Sequence, residues 1–200
     1  MNTKEFWNKK YDINGYLYGK EPNEFLISCI NNFSKKDRLL FLGEGEGRNA
    51  VFFAKEGYEV RALDISDIAL NKLKKFAQDE NVNIKTTCLD LQQWKPKKKF
   101  GGILASFLQL ESPLKEEVFQ NIENGLVSGG FFVGEFFSKK QVNYNSGGPI
   151  DEKILYAVDS FRGLFKSSII HKLLEEEVEL NEGSRYQGKA SVIRLIIQKL

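Results

Sequence analysis

The sequence predicts an α/β fold: a mostly parallel, doubly wound sheet with helices on both faces. Three observations predict it. Leu39–Leu42 is a short apolar run that opens into a loop with glycine at every second position (Gly43, Gly45, Gly47) and continues into Arg48–Lys55, where apolar residues no longer alternate. That order reads as a buried strand, a tight turn and a helix, the start of a βαβ unit. A second run, Gly57–Asp64, reads as a strand ending in an acid. Beyond it, strand-like and helix-like stretches keep alternating, with no repeat, linker or break in composition, so residues 1–200 are expected to form one domain.

Residues 1–35 are expected to form an N-terminal arm followed by a helix. The arm, from Phe6-Trp7 to Tyr18-Gly19, is aromatic and glycine-punctuated without a clear period. Pro22 then opens a helix whose apolar stripe is Phe25, Leu26, Cys29, Ile30 and Phe33. After the second strand, Asp67–Gln78 reads as a crossover helix with Ile68, Leu70, Leu73, Phe76 and Ala77 on its apolar face. Val82–Leu89 is a third strand, running into Asp90 and Leu91. Phe100–Leu110 is the fourth strand and its carboxyl end, and Leu114–Leu126 another helix. A turn at Val127–Gly130 precedes a buried fifth strand, Phe131–Phe137. A loop rich in breakers, Asn143–Pro149, leads to a helix expected from about Asp151 to Lys166. Ile169–Leu180 and Ala190–Lys199 read as two closing strands, which brings the strand count to seven.

Composition narrows the function classes. The chain has 200 residues, 42% hydrophobic and 28% charged, which is ordinary for a globular domain. The start, Met1-Asn2-Thr3-Lys4-Glu5, lacks an apolar leader core, and no stretch approaches ~18 uncharged apolar residues, so a cytoplasmic protein without a membrane partner is expected. Cys29 and Cys88 lie in apolar segments and are expected as buried thiols. The net charge is +2 and the lysines are scattered rather than gathered on one face, which disfavours nucleic acid as a partner. With one histidine, His171, and unclustered acids and cysteines, no metal-binding spacing exists.

The glycine loop and the acid at the end of the second strand together suggest a nucleoside. Glycines there permit positive φ and leave no Cβ between backbone and ligand. The following helix offers unpaired N–H groups to a carboxylate or phosphate, and an acid in the place of Asp64 commonly holds two ribose hydroxyls. Glu44 and Glu46 would oppose a doubly negative pyrophosphate. S-adenosylmethionine, with a sulfonium, an ammonium and one carboxylate, is net positive and suits an acidic loop better. The spacing also departs from G-x-G-x-x-G, since the third glycine is Gly47 and Arg48 follows.

Leu42–Val51 followed by Ala62-Leu63-Asp64-Ile65-Ser66 resembles motif I and its partner acid in class I S-adenosylmethionine-dependent methyltransferases, and more narrowly the small tellurite-resistance and thiopurine-type group. Glu177–Val192 also matches that group. The resemblance implies a Rossmann-like seven-stranded sheet with an antiparallel C-terminal strand. It implies cofactor contacts at Gly43, Glu44, Gly45, Glu46, Gly47 and Asn49, at Asp64 and Ile65, and at Ser106 and Phe107. It further implies an acid, Asp90, accepting the adenine amino group with Leu91 packing on the ring, and an N-terminal segment, with Trp7 and Tyr18, folding over the cofactor. For Asp90 a plain turn or helix cap is the alternative, and for Trp7 simple packing of the arm on the core. Phe41 stands where many members carry an acid. Two histidines common in the group are replaced here by Gln109 and Tyr186, which leaves both as candidates to orient the acceptor, with Tyr18 closing the pocket. The expected reaction is in-line methyl transfer to a small-molecule acceptor, a thiol or a metalloid oxyanion. A non-catalytic protein that binds S-adenosylmethionine and an NAD-type oxidoreductase are the alternatives.

Overall fold

Strands β1 (Arg38–Leu42), β2 (Glu59–Asp64), β3 (Ile84–Cys88), β4 (Phe100–Ser106), β5 (Leu126–Phe137), β6 (Ser168–Glu182) and β7 (Tyr186–Lys199) form one sheet in the computed structural model, which describes residues 2–200. Their order is β3-β2-β1-β4-β5-β7-β6. β1 to β5 run parallel, and β7 lies antiparallel to both β5 and β6. Strand order reverses at β1 and β4, so a crevice opens at their carboxyl ends, where ligands bind in sheets of this kind.

The helices are α1 (Thr3–Tyr11), α2 (Glu24–Ser28), α3 (Arg48–Lys55), α4 (Asp67–Asp79) and α5 (Leu114–Gly125). Alternate side chains of β1 enter different cores, as the pleat requires. Leu39 and Phe41 pack with Phe25 and Leu26 of α2, Phe53 of α3 and Leu73 of α4. Leu40 and Leu42 join the other core, with Val118, Phe119 and Ile122 of α5 and Phe132 and Phe136 of β5. Each such buried side chain contributes ~1.5–3 kcal/mol. Among the described residues no helix is long and apolar enough to cross a membrane.

Several local expectations are corrected. The helix expected from Asp151 to Lys166 is absent: only the short 3-10 turns Glu152–Ile154 and Val158–Ser160 form. The backbone here is committed elsewhere, because Tyr156 N donates to Phe137 O at 3.1 Å and Lys139 N to Tyr156 O at 2.9 Å. Pinned in this way, the segment buries Leu155, Tyr156, Phe161 and Phe165 without helical spacing. The helix after Pro22 begins at Glu24, capped by Asn23, and gives way to a 3-10 turn at Ile30–Asn32. Conversely, the arm contains a regular helix: Asn2 Oδ1 accepts from Glu5 N, and the Glu5 carboxylate accepts from Asn2 N, a capping box that starts α1. Val127–Gly130 is not a separate turn but lies within β5, looped out where pairing slips from Phe100–Leu126 to Gly102–Phe131. The closing hairpin is tighter than expected, turning within Gly183-Ser184-Arg185. Cys29 is buried, whereas Cys88 is exposed, because β3 is the sheet edge and has one uncovered face.

Candidate active site

The glycine loop is held from below by β2. Gly43 N donates to Leu63 O at 2.8 Å, and Gly45 N to Asp64 Oδ2 at 2.8 Å. Gly43 (φ 61°) and Gly45 (φ 63°) lie in the left-handed region, and neither has room for a side chain. A Cβ on Gly43 would meet Leu108, and one on Gly45 would meet the hydroxyl of Tyr11. The loop therefore carries backbone close to the cavity floor and to the aromatic arm above it.

Asp64 is the buried acid at the end of β2, with 6% of its surface exposed. Its Oδ1 accepts Ser66 N at 2.8 Å, and its Oδ2 the Gly45 amide. Burial raises its pKa to about 6 despite those bonds. Each oxygen retains a second lone pair for a ligand hydroxyl.

The loop glutamates are both engaged by the protein itself, although Glu44 also lines the cavity. Glu44 Oε1 accepts Asn49 N at 2.9 Å and Ala50 N at 2.7 Å, so this carboxylate occupies the N-terminus of α3 itself. Burial pushes Glu44 up to about 7, opposed by those bonds and by the nearby Arg48 charge. Glu46 turns to the arm, accepting Leu17 N at 2.7 Å and the Lys72 ammonium at 2.8 Å.

Behind the loop lies a buried polar network. Asn49 Oδ1 accepts Asn23 N, and Asn49 Nδ2 donates to Ser106 Oγ at 3.2 Å. Asn23 Nδ2 lies 2.6 Å from Glu135 Oε1 and 2.9 Å from Glu182 Oε1. Glu182 pairs with Arg48 at 2.7 Å, and Glu135 with Arg194 at 2.7 Å. The network ties the loop, the segment before α2, β5 and the hairpin turn into one unit. Breaking such a buried pair by removing one partner costs ~3–5 kcal/mol.

The cavity has a volume of about 640 Å³, within the range of small-molecule sites. Most of the residues singled out from the sequence meet in its walls. Trp7 and Tyr18 come from the arm, Gly43 and Glu44 from the loop, and Asp64 and Ile65 from the end of β2. Asp90 and Leu91 follow β3, Ser106, Phe107 and Gln109 lie at the end of β4, and Tyr186 begins β7. Gly45, Glu46, Gly47 and Asn49 are not among its lining residues. Gly47, where a Cβ would meet Leu73, and Asn49 brace the loop from behind. Asp90 does cap a 3-10 turn, its Oδ1 accepting Gln92 N at 2.9 Å, while also lining the cavity. His171 is far from this chemistry, exposed on β6 and hydrogen-bonded to Gln198.

Three features of the site were not found from the sequence. Tyr11 stacks on Trp7 at 5.8 Å, one helical turn away, and both line the cavity, as does Arg48. The capping box at Asn2 and Glu5 was the signal that would have set this helix. Phe107 holds φ 51°, a strained value for a residue with a Cβ, with its N–H donating to Glu135 O at 2.7 Å. The strain turns its ring between Phe137 (4.5 Å) and Tyr186 (5.1 Å). Tyr18 lies 4.7 Å from Tyr186. Burial raises the pKa of both phenols and of Tyr11, so all three are protonated donors at neutral pH. The described residues lining the cavity include no histidine, cysteine or lysine.

Residues 1–135 match the family model described as tellurite resistance protein TehB. A curated relative from Haemophilus influenzae strain 10810, described as a probable S-adenosyl-L-methionine-dependent methyltransferase TehB, is 25% identical over 132 residues. That match covers 64% of this chain and 43% of the relative, so the chain spans less than half of the relative's length. The solved structure of TehB from Haemophilus influenzae is similar with a TM-score of 0.74 at 18% identity, covering 98% of this chain and 67% of that one. A structure from work on conversion of a disulfide bond into a thioacetal group during echinomycin biosynthesis gives a TM-score of 0.80 at 14% identity, covering 99% and 92%. These structural likenesses agree with the sheet described above: a Rossmann-like, mostly parallel sheet closed by antiparallel strands. With more than half its length in the family model, the chain belongs to the TehB tellurite resistance family.

Proposed function

We propose that the chain is an S-adenosylmethionine-dependent methyltransferase acting on a small-molecule acceptor, a thiol or a metalloid oxyanion. The observation that carries the reading is the Asp64 carboxylate, buried beside the glycine loop at the end of β2 with one lone pair left on each oxygen. Those two positions match the two hydroxyls of a ribose. The side-chain-free backbone at Gly43 suits close approach of a methionine chain, and Asp90 and Leu91 suit the adenine end. A dinucleotide fits less well. Its pyrophosphate would need the N–H groups at the start of α3, and Glu44 already holds two of them.

When bound, the cofactor supplies a methyl group on a positively charged sulfur. The residues around it position and shield. Trp7, Tyr11 and Tyr18 of the arm and Phe107 and Tyr186 of the sheet make a largely aromatic wall that keeps water from the reacting atoms. Holding the two reactants in line within such a wall removes much of the barrier to methyl transfer.

A general base is the weak point of the site. Gln109 cannot act as one, and burial keeps Tyr186 protonated. Glu44 has a suitable pKa, about 7, but its oxygens already accept two helix N–H groups and the Asn49 amide. An acceptor that brings its own negative charge, such as a thiolate or a chalcogen oxyanion, therefore fits best. The test is methyl transfer from labelled S-adenosylmethionine to a panel of thiols, metalloid oxyanions, alcohols and amines. Turnover of the first two classes is expected, and turnover confined to alcohols or amines overturns the acceptor assignment. Cofactor binding with no turnover on any class would favour a non-catalytic binding protein.

A further inference from the structure

Independently of the cofactor assignment, we infer that the pole of the sheet opposite the cavity docks on an anionic lipid bilayer. Lysines that look scattered along the sequence are gathered there by the topology. Arg38 opens β1, and Lys97, Lys98 and Lys99 stand immediately before β4. Lys166 precedes β6, and Lys199 ends β7, which runs the opposite way to β5. All six cations therefore lie at the amino ends of the parallel strands. β4 has 7 residues, so this pole is ~20 Å from the cavity.

These segments meet around the end of α5. Arg38 Nη2 donates to Lys99 O at 3.2 Å, and the Lys99 ammonium donates to Asn124 O. One residue earlier, Glu123 accepts Lys166 N at 3.3 Å. Among the described residues none of the six cations forms an ion pair. The acids beside them are taken. Glu123 is buried and also accepts Ser167 N and Ser168 Oγ, and Asp37 accepts Ser34 N. Glu56, Glu59 and Glu80 stand on the β2 side, each paired with a lysine, and Asp79 ends α4 there too.

Aliphatic side chains share this surface. Val127, in the stretch looped out of β5, and Ile169 and Ile170, at the start of β6, are exposed. Gln198 connects them, pairing with Ile169 in the sheet and donating to Gly129 O at 3.2 Å. Lysines around exposed aliphatics fit a bilayer, where ammonium groups meet lipid phosphates and apolar side chains enter the acyl boundary. A nucleic acid fits less well, since among the described residues of this pole no Phe, Tyr or Trp is exposed for base stacking. Docking of this kind needs no membrane-spanning helix, so the lack of one among the described residues does not bear on it. A protein docked this way turns its cavity away from the bilayer and keeps it open to solutes.

The experiment is sedimentation of the protein with vesicles of phosphatidylglycerol and phosphatidylcholine in equal parts, and with vesicles of phosphatidylcholine alone. Binding to the mixed vesicles is expected, falling steeply with added salt, with little binding to the neutral ones. One lysine near such a surface changes partitioning about fivefold. Lys97→Gln/Lys98→Gln should therefore weaken binding by about 10- to 30-fold. Lys74→Gln/Lys75→Gln removes the same charge from exposed positions on α4 and should stay within about twofold of the unaltered protein. Val127→Ser, at unchanged charge, should weaken binding about three- to tenfold. Absence of binding to the mixed vesicles, equal binding to the neutral ones, or equal losses in the two lysine pairs would overturn the inference. So would binding of single-stranded RNA at salt concentrations that release the mixed vesicles, which would assign the surface to nucleic acid.

Discussion

Asp64→Ala separates what the site needs from what the fold needs. In the free protein Asp64 makes two bonds to backbone N–H groups, from Gly45 and Ser66. Losing a charged acceptor from two buried donors costs ~2–6 kcal/mol. The same carboxylate is expensive to ionise in place. Its pKa stands at about 6 in the fold against an ordinary value of 3.8, a difference worth ~3 kcal/mol at pH well above 6. The sign follows from that order. A folded value above the unfolded one means that the group's contribution is fully present below 3.8 and is lost as pH rises through about 6. At pH 7.5 the two effects oppose each other, and Asp64→Ala should change stability by less than ~3 kcal/mol. At pH 5 about half of that penalty remains, so the variant should lose ~1–1.5 kcal/mol more stability relative to the unaltered protein than it does at pH 7.5. Binding behaves differently, because the ribose hydroxyls lose both charged acceptors at once, weakening S-adenosylhomocysteine by ~1.5–3 kcal/mol. Calorimetric titration at pH 7.5 and unliganded melts at pH 5 and 7.5 measure the three quantities. An unchanged dissociation constant would refute the role given to this strand end. A stability loss that grows from pH 5 to 7.5 would refute the electrostatic argument.

Asp90→Ala should weaken the same ligand less than Asp64→Ala does, because one adenine contact is worth less than a paired ribose clamp; a larger loss in titration would reverse the two roles. Gly45→Ala places a Cβ against the Tyr11 hydroxyl at a φ of 63°, and melts should show a cost of at least ~1–2 kcal/mol together with weaker cofactor binding. Glu44, whose folded pKa of about 7 lies above the ordinary value of 4.5, contributes stability below 4.5 that is lost as pH rises through about 7. Glu44→Gln should therefore flatten the pH dependence of the melting temperature between pH 5 and 8, and an unaltered slope would count against the burial of that charge. S-adenosylmethionine, being positive, should bind more tightly as pH rises through about 6 to 7 and Asp64 and Glu44 ionise. With the cofactor saturating, turnover on a thiol series should follow the thiolate fraction of each acceptor. A single enzyme ionisation near neutrality, constant across acceptors, would instead assign a base to the site.

The parts legible in the sequence were those encoded by short-range order. An apolar run, alternating glycines, a helix and a second strand ending in Asp64 follow one another within 26 residues, Leu39 to Asp64, so their spatial relation is set by local chemistry. The same holds for the order of the seven strands along the chain. What escaped was built from distant partners. Asn23 meets Glu135 and Glu182 across 112 and 159 residues, and nothing local marks those glutamates as buried. Glu44 and Glu46 read as free loop charges because the sequence cannot show that α3 and the arm already offer them N–H groups and a lysine. The helix expected after Asp151 failed for a related reason, since pairing of Tyr156 with the end of β5 outweighs local helical pattern. Arg48 first read as a departure from a glycine motif, and only the cavity gives it a neighbourhood.

The most direct test of the central claim is calorimetric titration of the unaltered protein with S-adenosylmethionine, S-adenosylhomocysteine and NAD under identical conditions. One-to-one binding of the first two is expected, both weakened by ~1.5–3 kcal/mol in Asp64→Ala, with no measurable binding of NAD. Binding of NAD in preference to either sulfur compound, or binding of S-adenosylmethionine that is indifferent to Asp64, would contradict that claim.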